Sequence, residues 1–249
     1  MGRELPAGHR YGRYMPPNIW GDEVQGFRAR SLEMFEAFDA IGAALLRAIA
    51  RALALPADFF ADKVQDGNSV LRVIHYPPMA PNPTESVRAG AHEDINVITL
   101  LMGAEEPGLQ VLSKQGEWLS VNPPTGSLVV NVGDMLQRLT NDVLRSTTHR
   151  VVNPVRERAS NARFSMPYFL HFNPDFLIET LPGCIAPGRP NLYPDAITAD
   201  EDVARLDIAM DQAGRLVGVL QAEGRLPDVV TGPAHFHRAR PLDDVLQAG

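Results

Sequence analysis

Cysteine is nearly absent from this chain: Cys184 is the only one in 249 residues. No intrachain disulfide can form, which removes the disulfide-stapled secreted domains and fits a reducing compartment. Long apolar runs are missing too. The longest fall far short of the ~20 residues that a membrane helix needs. The opening residues, Met-Gly-Arg-Glu-Leu-Pro, carry no apolar segment of the signal-peptide kind. These absences give the expectation of a cytoplasmic protein with no membrane partner. Basic charge is also in deficit, with 23 Lys and Arg against 30 Asp and Glu and a net charge of −7. The cations are scattered and form no phosphate track, so nucleic acid is not the expected partner. No Gly-x-Ser-x-Gly elbow and no Gly-rich phosphate loop occurs.

What is present is an ordinary globular chain, 45% hydrophobic and long enough to bury roughly 70–75% of its unfolded surface. Residues 1–22 are rich in Gly, Pro, Arg and Tyr, without a clear period, and read as an irregular arm. From 23 to 55 the apolar residues Val24, Phe27, Phe35, Phe38, Ile41, Leu45, Ile49 and Leu53 recur in three- and four-residue steps. That spacing predicts a long amphipathic helix. Residues 57–64 allow a short second helix before the turn signal Asp66-Gly67-Asn68.

From Ser69 the texture changes to short strands set apart by Gly and Pro. The expected strands are 70–76, 95–102, 109–112, 117–121, 127–132, 135–140, 146–152, 163–172 and 176–179. Many short strands with regular turn signals predict a sandwich or barrel of the jelly-roll class. A Pro-rich loop follows at 182–194. Thr198-x-x-Glu201 then resembles a capping box, opening a helix whose apolar side runs from Val203 to Leu220. The fold class expected is mainly β with flanking helices, a long helix before the jelly roll and a helix after it. The core falls within 69–180, and 199–249 is a C-terminal helix and tail.

The chemistry-bearing residues are His92-x-Asp94, a lone His149, and Arg163-x-Ser165. Two imidazoles and one carboxylate suit a non-haem Fe(II) site with open coordination positions. In an extended segment, residues two apart share a face, so His92 and Asp94 can reach one ion from a strand end. The same logic aligns Arg163 with Ser165 and turns Phe164 away. A guanidinium offers carboxylate oxygens a planar set of donors. An arginine inside the apolar stretch 163–172 would be costly without an anion. The pattern points to iron that activates oxygen with the help of a small carboxylic acid.

Five stretches, taken in order, carry a resemblance. They are Leu71-Arg72-Val73-Ile74-His75-Tyr76-Pro77-Pro78, Ala91-His92-Glu93-Asp94, residues 126–141, residues 146–152, and Arg163-Phe164-Ser165-Met166-Pro167. The chain resembles the isopenicillin N synthase-like family of Fe(II)/2-oxoglutarate-dependent dioxygenases over about residues 69–180. The resemblance implies a double-stranded β-helix and makes residues 23–198 the dioxygenase domain. It implies that His92, Asp94 and His149 bind iron and are the catalytic centre. It further implies that Arg163 and Ser165 hold the far carboxylate of the co-substrate 2-oxoglutarate, with Tyr76 beside them. O2 would oxidise a small organic substrate by hydroxylation, desaturation or cyclisation, with release of succinate and CO2. Asp134 would have a structural hydrogen-bonding role.

Relatives begin with an extra segment before the long helix. That segment is expected to be missing here, leaving a sheet edge open. The step from His149 to Arg163 is long for the family, so 157–161 reads as a turn insertion. Two other readings compete: an enzyme that fragments 2-oxoglutarate to ethylene and succinate, and an inactive jelly-roll binding module. A zinc hydrolase fits three ligands but leaves Arg163 and Ser165 unexplained. His75, His171 and His9 read as structural or surface residues. His235-x-His237 lacks a third ligand. Neither the prime substrate nor the oligomeric state is legible.

Overall fold

A computed structural model describes residues 1–21, 23–79, 87–103 and 107–201. The helix expected beyond Thr198 is described only in its first residues, 199–201, and the tail with His235 and His237 lies outside the described residues. At its start, the Glu201 carboxylate accepts from the Thr198 amide at 2.9 Å, which is one half of a capping box.

The long helix α1 spans Phe27–Ala52, and a four-residue helix α2 follows at Ala61–Val64. The buried stripe of α1 is Phe35, Phe38, Gly42, Leu46 and Ala50. It is rotated from the stripe expected from the sequence: Val24, Phe27 and Ile41 are exposed. The reason is steric. Gly42 and Ala50 carry little apolar signal, yet they face the sheet, and a Cβ on Gly42 would lie 2.4 Å from Leu170 Cδ1.

The strands are β1 Val70–Leu71, β2 Ile74–Tyr76, β3 Ala89–His92, β4 Ile98–Met102, β5 Leu109–Leu112, β6 Trp118–Ser120 and β7 Leu128–Val132. Beyond the helix α3 Asp134–Leu139 come β8 His149–Val151, β9 Arg163–Ser165, β10 Pro167–Leu170, β11 Leu177–Ile178 and β12 Ile197–Thr198. One antiparallel sheet runs β1-β10-β4-β7 and a second β3-β8-β5-β6. The pairs β2–β9 and β11–β12 complete the set. Two expected strands are each split between sheets: 70–76 becomes β1 and β2, and 163–172 becomes β9 and β10. The two breaks are bonded to each other, Arg72 N–H donating to Pro167 O at 3.0 Å. Strands that change sheet at a shared corner wind the chain into a double-stranded β-helix, the jelly roll expected.

Residues 135–140 are not a strand. They form α3, with Met135, Leu136 and Leu139 buried on one side. A six-residue segment is too short to distinguish the two periods, and the i, i+1, i+4 spacing decided for the helix. The edge of β1 is not open either. Gly2 bridges Val70, and Met1 and Leu71 exchange hydrogen bonds of 2.9 and 3.1 Å. Residues 156–158, overlapping the start of the expected insertion, form a 3-10 turn.

The main apolar cluster joins α1 to the first sheet. Tyr168 on β10 is fully buried, stacked on Phe38 at 5.6 Å and edge-on to Phe35 at 5.2 Å. Its hydroxyl donates to Asp39 at 2.6 Å, and Arg3 bonds the same carboxylate at 2.9 Å. The buried phenol therefore has an acceptor and the acceptor a counter-charge. This fixes the sheet whose polar residues support the site.

Candidate active site

β3 and β8 pair so that His92 stands opposite His149. The ring centres are 4.3 Å apart. Asp94 follows β3 in a loop that the first turn of α3 holds from behind: Asp134 N–H donates to Asp94 O at 2.8 Å and Met135 N–H to Ile95 O at 3.0 Å. These amides have no partner inside their own helix, so the loop carbonyls satisfy them. Gly133 enters this contact closely, because a Cβ there would meet the Asn96 carbonyl oxygen at 2.1 Å.

The donor atoms converge. One ligand atom from each of His92, Asp94 and His149 lies within 4.8 Å of the others. Asp94 Oδ1 is 3.8 Å from His92 Nε2 and 3.7 Å from His149 Nε2. The atoms facing away are occupied. His92 Nδ1 contacts Gly90 O at 2.8 Å, and His149 Nδ1 contacts Thr147 O at 3.0 Å. A backbone carbonyl on Nδ1 fixes the tautomer that leaves Nε2 with its lone pair for a metal. Asp94 Oδ2 accepts from Thr99 Oγ1 at 2.5 Å and from Asn131 Nδ2 at 2.8 Å, leaving Oδ1 aimed at the imidazoles. Asn96 Nδ2 in turn donates to Thr99 Oγ1 at 2.9 Å. Asp94 is buried and His149 mostly so, while His92 is about half exposed. Two nitrogens and one oxygen on one side, with access past His92, fit a divalent iron that keeps positions open.

Thr99 and Asn131 are register partners on β4 and β7. They were missed in the sequence, although a signal existed: each is a polar residue in the middle of an otherwise apolar strand.

The second group of residues lies on β9 and β2. Arg163 and Ser165 are buried and Phe164 between them is 61% exposed, stacked on His75. Tyr76 is the register partner of Arg163, and the guanidinium carbon lies 5.3 Å from its ring centre. Burial holds the Arg163 guanidinium below its ordinary range. Arg163 borders a cavity of about 320 Å³ walled also by Leu101, Leu109, Val121, Pro123 and Val129. His92, Asp94 and His149 are not part of that wall. A buried cation beside a cavity, with a hydroxyl on its own strand face, suits an anion of a small organic acid.

Residues 67–172 match the family profile of the 2OG-Fe(II) oxygenase superfamily. The chain is also similar to a crystallised 2OG-Fe(II) oxygenase family protein from Caulobacter crescentus. The two are 51% identical with a TM-score of 0.79, over 84% of this chain and 68% of that one. The chain belongs to the 2OG-Fe(II) oxygenase superfamily. A full-length Neurospora crassa protein crystallised in complex with alpha-KG and thymine is 35% identical with a TM-score of 0.74, covering 84% of this chain and 63% of that one. The 2-oxoglutarate-Fe(II) type oxidoreductase hxnY of Emericella nidulans is 36% identical over 210 residues, 80% of this chain and 59% of that protein. The chain thus spans about three-fifths of the length of the curated relatives it matches.

The other expected positions are ordinary. His75 is on the outer face of β2. His171 is half buried, its amide bonded to Ser69 Oγ at 3.2 Å, and burial pushes its imidazole down to about 4. Cys184 is buried, and burial raises its thiol. No helix among the described residues is long and apolar enough to cross a membrane.

Proposed function

We propose that the chain carries the catalytic domain of an Fe(II)- and 2-oxoglutarate-dependent dioxygenase acting on a small organic substrate. The observation that supports this most is the orientation of the triad. Every polar atom of His92, Asp94 and His149 that does not face the shared point is occupied elsewhere. In this reading His92 Nε2, His149 Nε2 and Asp94 Oδ1 hold the iron. Arg163, Ser165 and Tyr76 hold the far carboxylate of 2-oxoglutarate. Iron and 2-oxoglutarate together supply O2 activation, with succinate and CO2 as by-products. The chain's own contribution is orientation. Thr99 and Asn131 keep the Asp94 carboxylate turned inward, and the Gly90 and Thr147 carbonyls keep both imidazoles in one tautomer.

The reading assigns residues 23–198 to the dioxygenase domain, 1–22 to an arm and 199–249 to a C-terminal helix and tail. It includes a cytoplasmic setting, supported by the single buried thiol. Hydroxylation, desaturation and cyclisation share this apparatus and differ in how the substrate is positioned. The test is anaerobic loading with Fe(II) and 2-oxoglutarate, admission of O2, and a succinate assay. The intact chain is expected to release succinate, His92→Ala to release none, and Arg163→Ala to release it only at raised co-substrate. Equal release by all three refutes the assignment.

A further inference from the structure

Two guanidiniums stand on one aromatic ring. Arg163 lies 5.3 Å from the centre of Tyr76 and Arg88 lies 5.7 Å from it. The co-substrate reading uses Arg163 and leaves Arg88 without a role. Arg88 immediately precedes β3, the strand that ends in His92. Its Nη2 donates to Asn161 O at 3.2 Å, on the turn before β9. Its Nε and Nη1 are buried and meet no acceptor among the described residues. No carboxylate of the described residues lies within 4 Å of this guanidinium. Buried N–H groups on a cation are costly when unmade, and an anionic oxygen is the acceptor that lowers that cost most. Burial lowers the Arg163 guanidinium most, Tyr76 raises it by less, and Arg88 lowers it by less again. The two cations are therefore close enough to feel one another.

We propose that Arg88 is a second carboxylate-binding residue of this site, acting with Tyr76 and Arg163. The proposal rests on the dioxygenase reading and deepens it. The ligand chemistry is a carboxylate oxygen accepting from guanidinium N–H. It has two sources, the far end of 2-oxoglutarate or an acid group on the prime substrate. Arg88 is tethered by Asn161 from the β9 side and by the chain from the β3 side. It thereby links the carboxylate end of the site to the strand that bears the first ligand.

The test is calorimetric titration of the Mn(II)-loaded chain under anaerobic conditions, without turnover. Arg88→Gln is expected to weaken 2-oxoglutarate about ten- to a hundredfold. Binding of 2-oxopentanoate, which has a methyl group where 2-oxoglutarate has its far carboxylate, is expected to be unchanged. Arg88→Lys should recover part of the loss, and Mn(II) affinity should stay at the wild-type value in both variants. In a second arm, the 2-oxoglutarate-saturated chain is titrated with acetate and benzoate. Saturable binding that Arg88→Gln abolishes assigns the residue to the substrate's acid group instead. Wild-type behaviour of Arg88→Gln in both arms overturns the inference and leaves the dioxygenase reading standing. An intact chain that binds Mn(II) but neither 2-oxoglutarate nor the monocarboxylates overturns both.

Discussion

The two ends of the site are built on opposite electrostatic plans. At the ligand end an anion, Asp94, is buried and already supplied with donors from Thr99 and Asn131. At the other end a cation, Arg163, is buried against an aromatic ring, with a second guanidinium on the same ring. In the proposed reading the first is a receptor for a positive ion, whose donors are oriented before anything binds. The second presents guanidinium donors of the kind that suit a carboxylate. In the proposed reading, the contrast implies that metal binding and co-substrate binding respond to separate residues.

The largest expected effect breaks the ligand end alone. Asp94→Ala or His149→Ala should lower Mn(II) affinity beyond the roughly 100-fold that loss of a supporting hydrogen bond brings. Arg163→Met is expected to leave metal affinity unchanged in the same titration. Its own effect appears on the co-substrate, which should bind about ten- to a hundredfold more weakly.

Thr99→Val sharpens the comparison from the supporting layer. It keeps the shape, removes one of the two anchors of Asp94 Oδ2, and should reduce metal affinity about tenfold. Wild-type affinity would mean that Asn131 alone orients the carboxylate. The smallest effect concerns acid. His171 has its folded-state value depressed to about 4 by burial. Its unfolded form binds a proton more readily, so its contribution to stability is complete above about 6.5 and is lost as pH falls toward 4. His171→Gln should flatten the fall in melting temperature across that window, by the equivalent of on the order of 1–3 kcal/mol.

The fold was legible where side-chain pattern and backbone period agree. Arg163-Phe164-Ser165 alternates in burial as an extended segment must, and the turn residues marked the ends of most strands. Three features were not legible, each for a physical reason. Residues 135–140 are too short for their period to separate helix from strand. The stripe of α1 is set by Gly42 and Ala50, whose value lies in being small. The sheet changes at 72–73 and at Met166 come from tertiary pairing between β2 and β9, which no local pattern encodes. Of the candidate site, the six residues expected to act lie in two groups, His92, Asp94 and His149 on one side and Tyr76, Arg163 and Ser165 on the other. Their supports were harder to read. The Gly90 and Thr147 carbonyls are backbone groups that leave no mark in residue type. Thr99 and Asn131 become meaningful only once the strands that carry them are paired, and Arg88 only once it meets the turn before β9.

The most direct measurement is an anaerobic crystal structure of the chain with Mn(II) and 2-oxoglutarate, the metal located by its anomalous scattering. The account predicts one peak bonded to His92 Nε2, His149 Nε2 and Asp94 Oδ1, with the far carboxylate of the acid on Arg163. A peak elsewhere, or an acid whose far carboxylate lies away from Arg163, would contradict it.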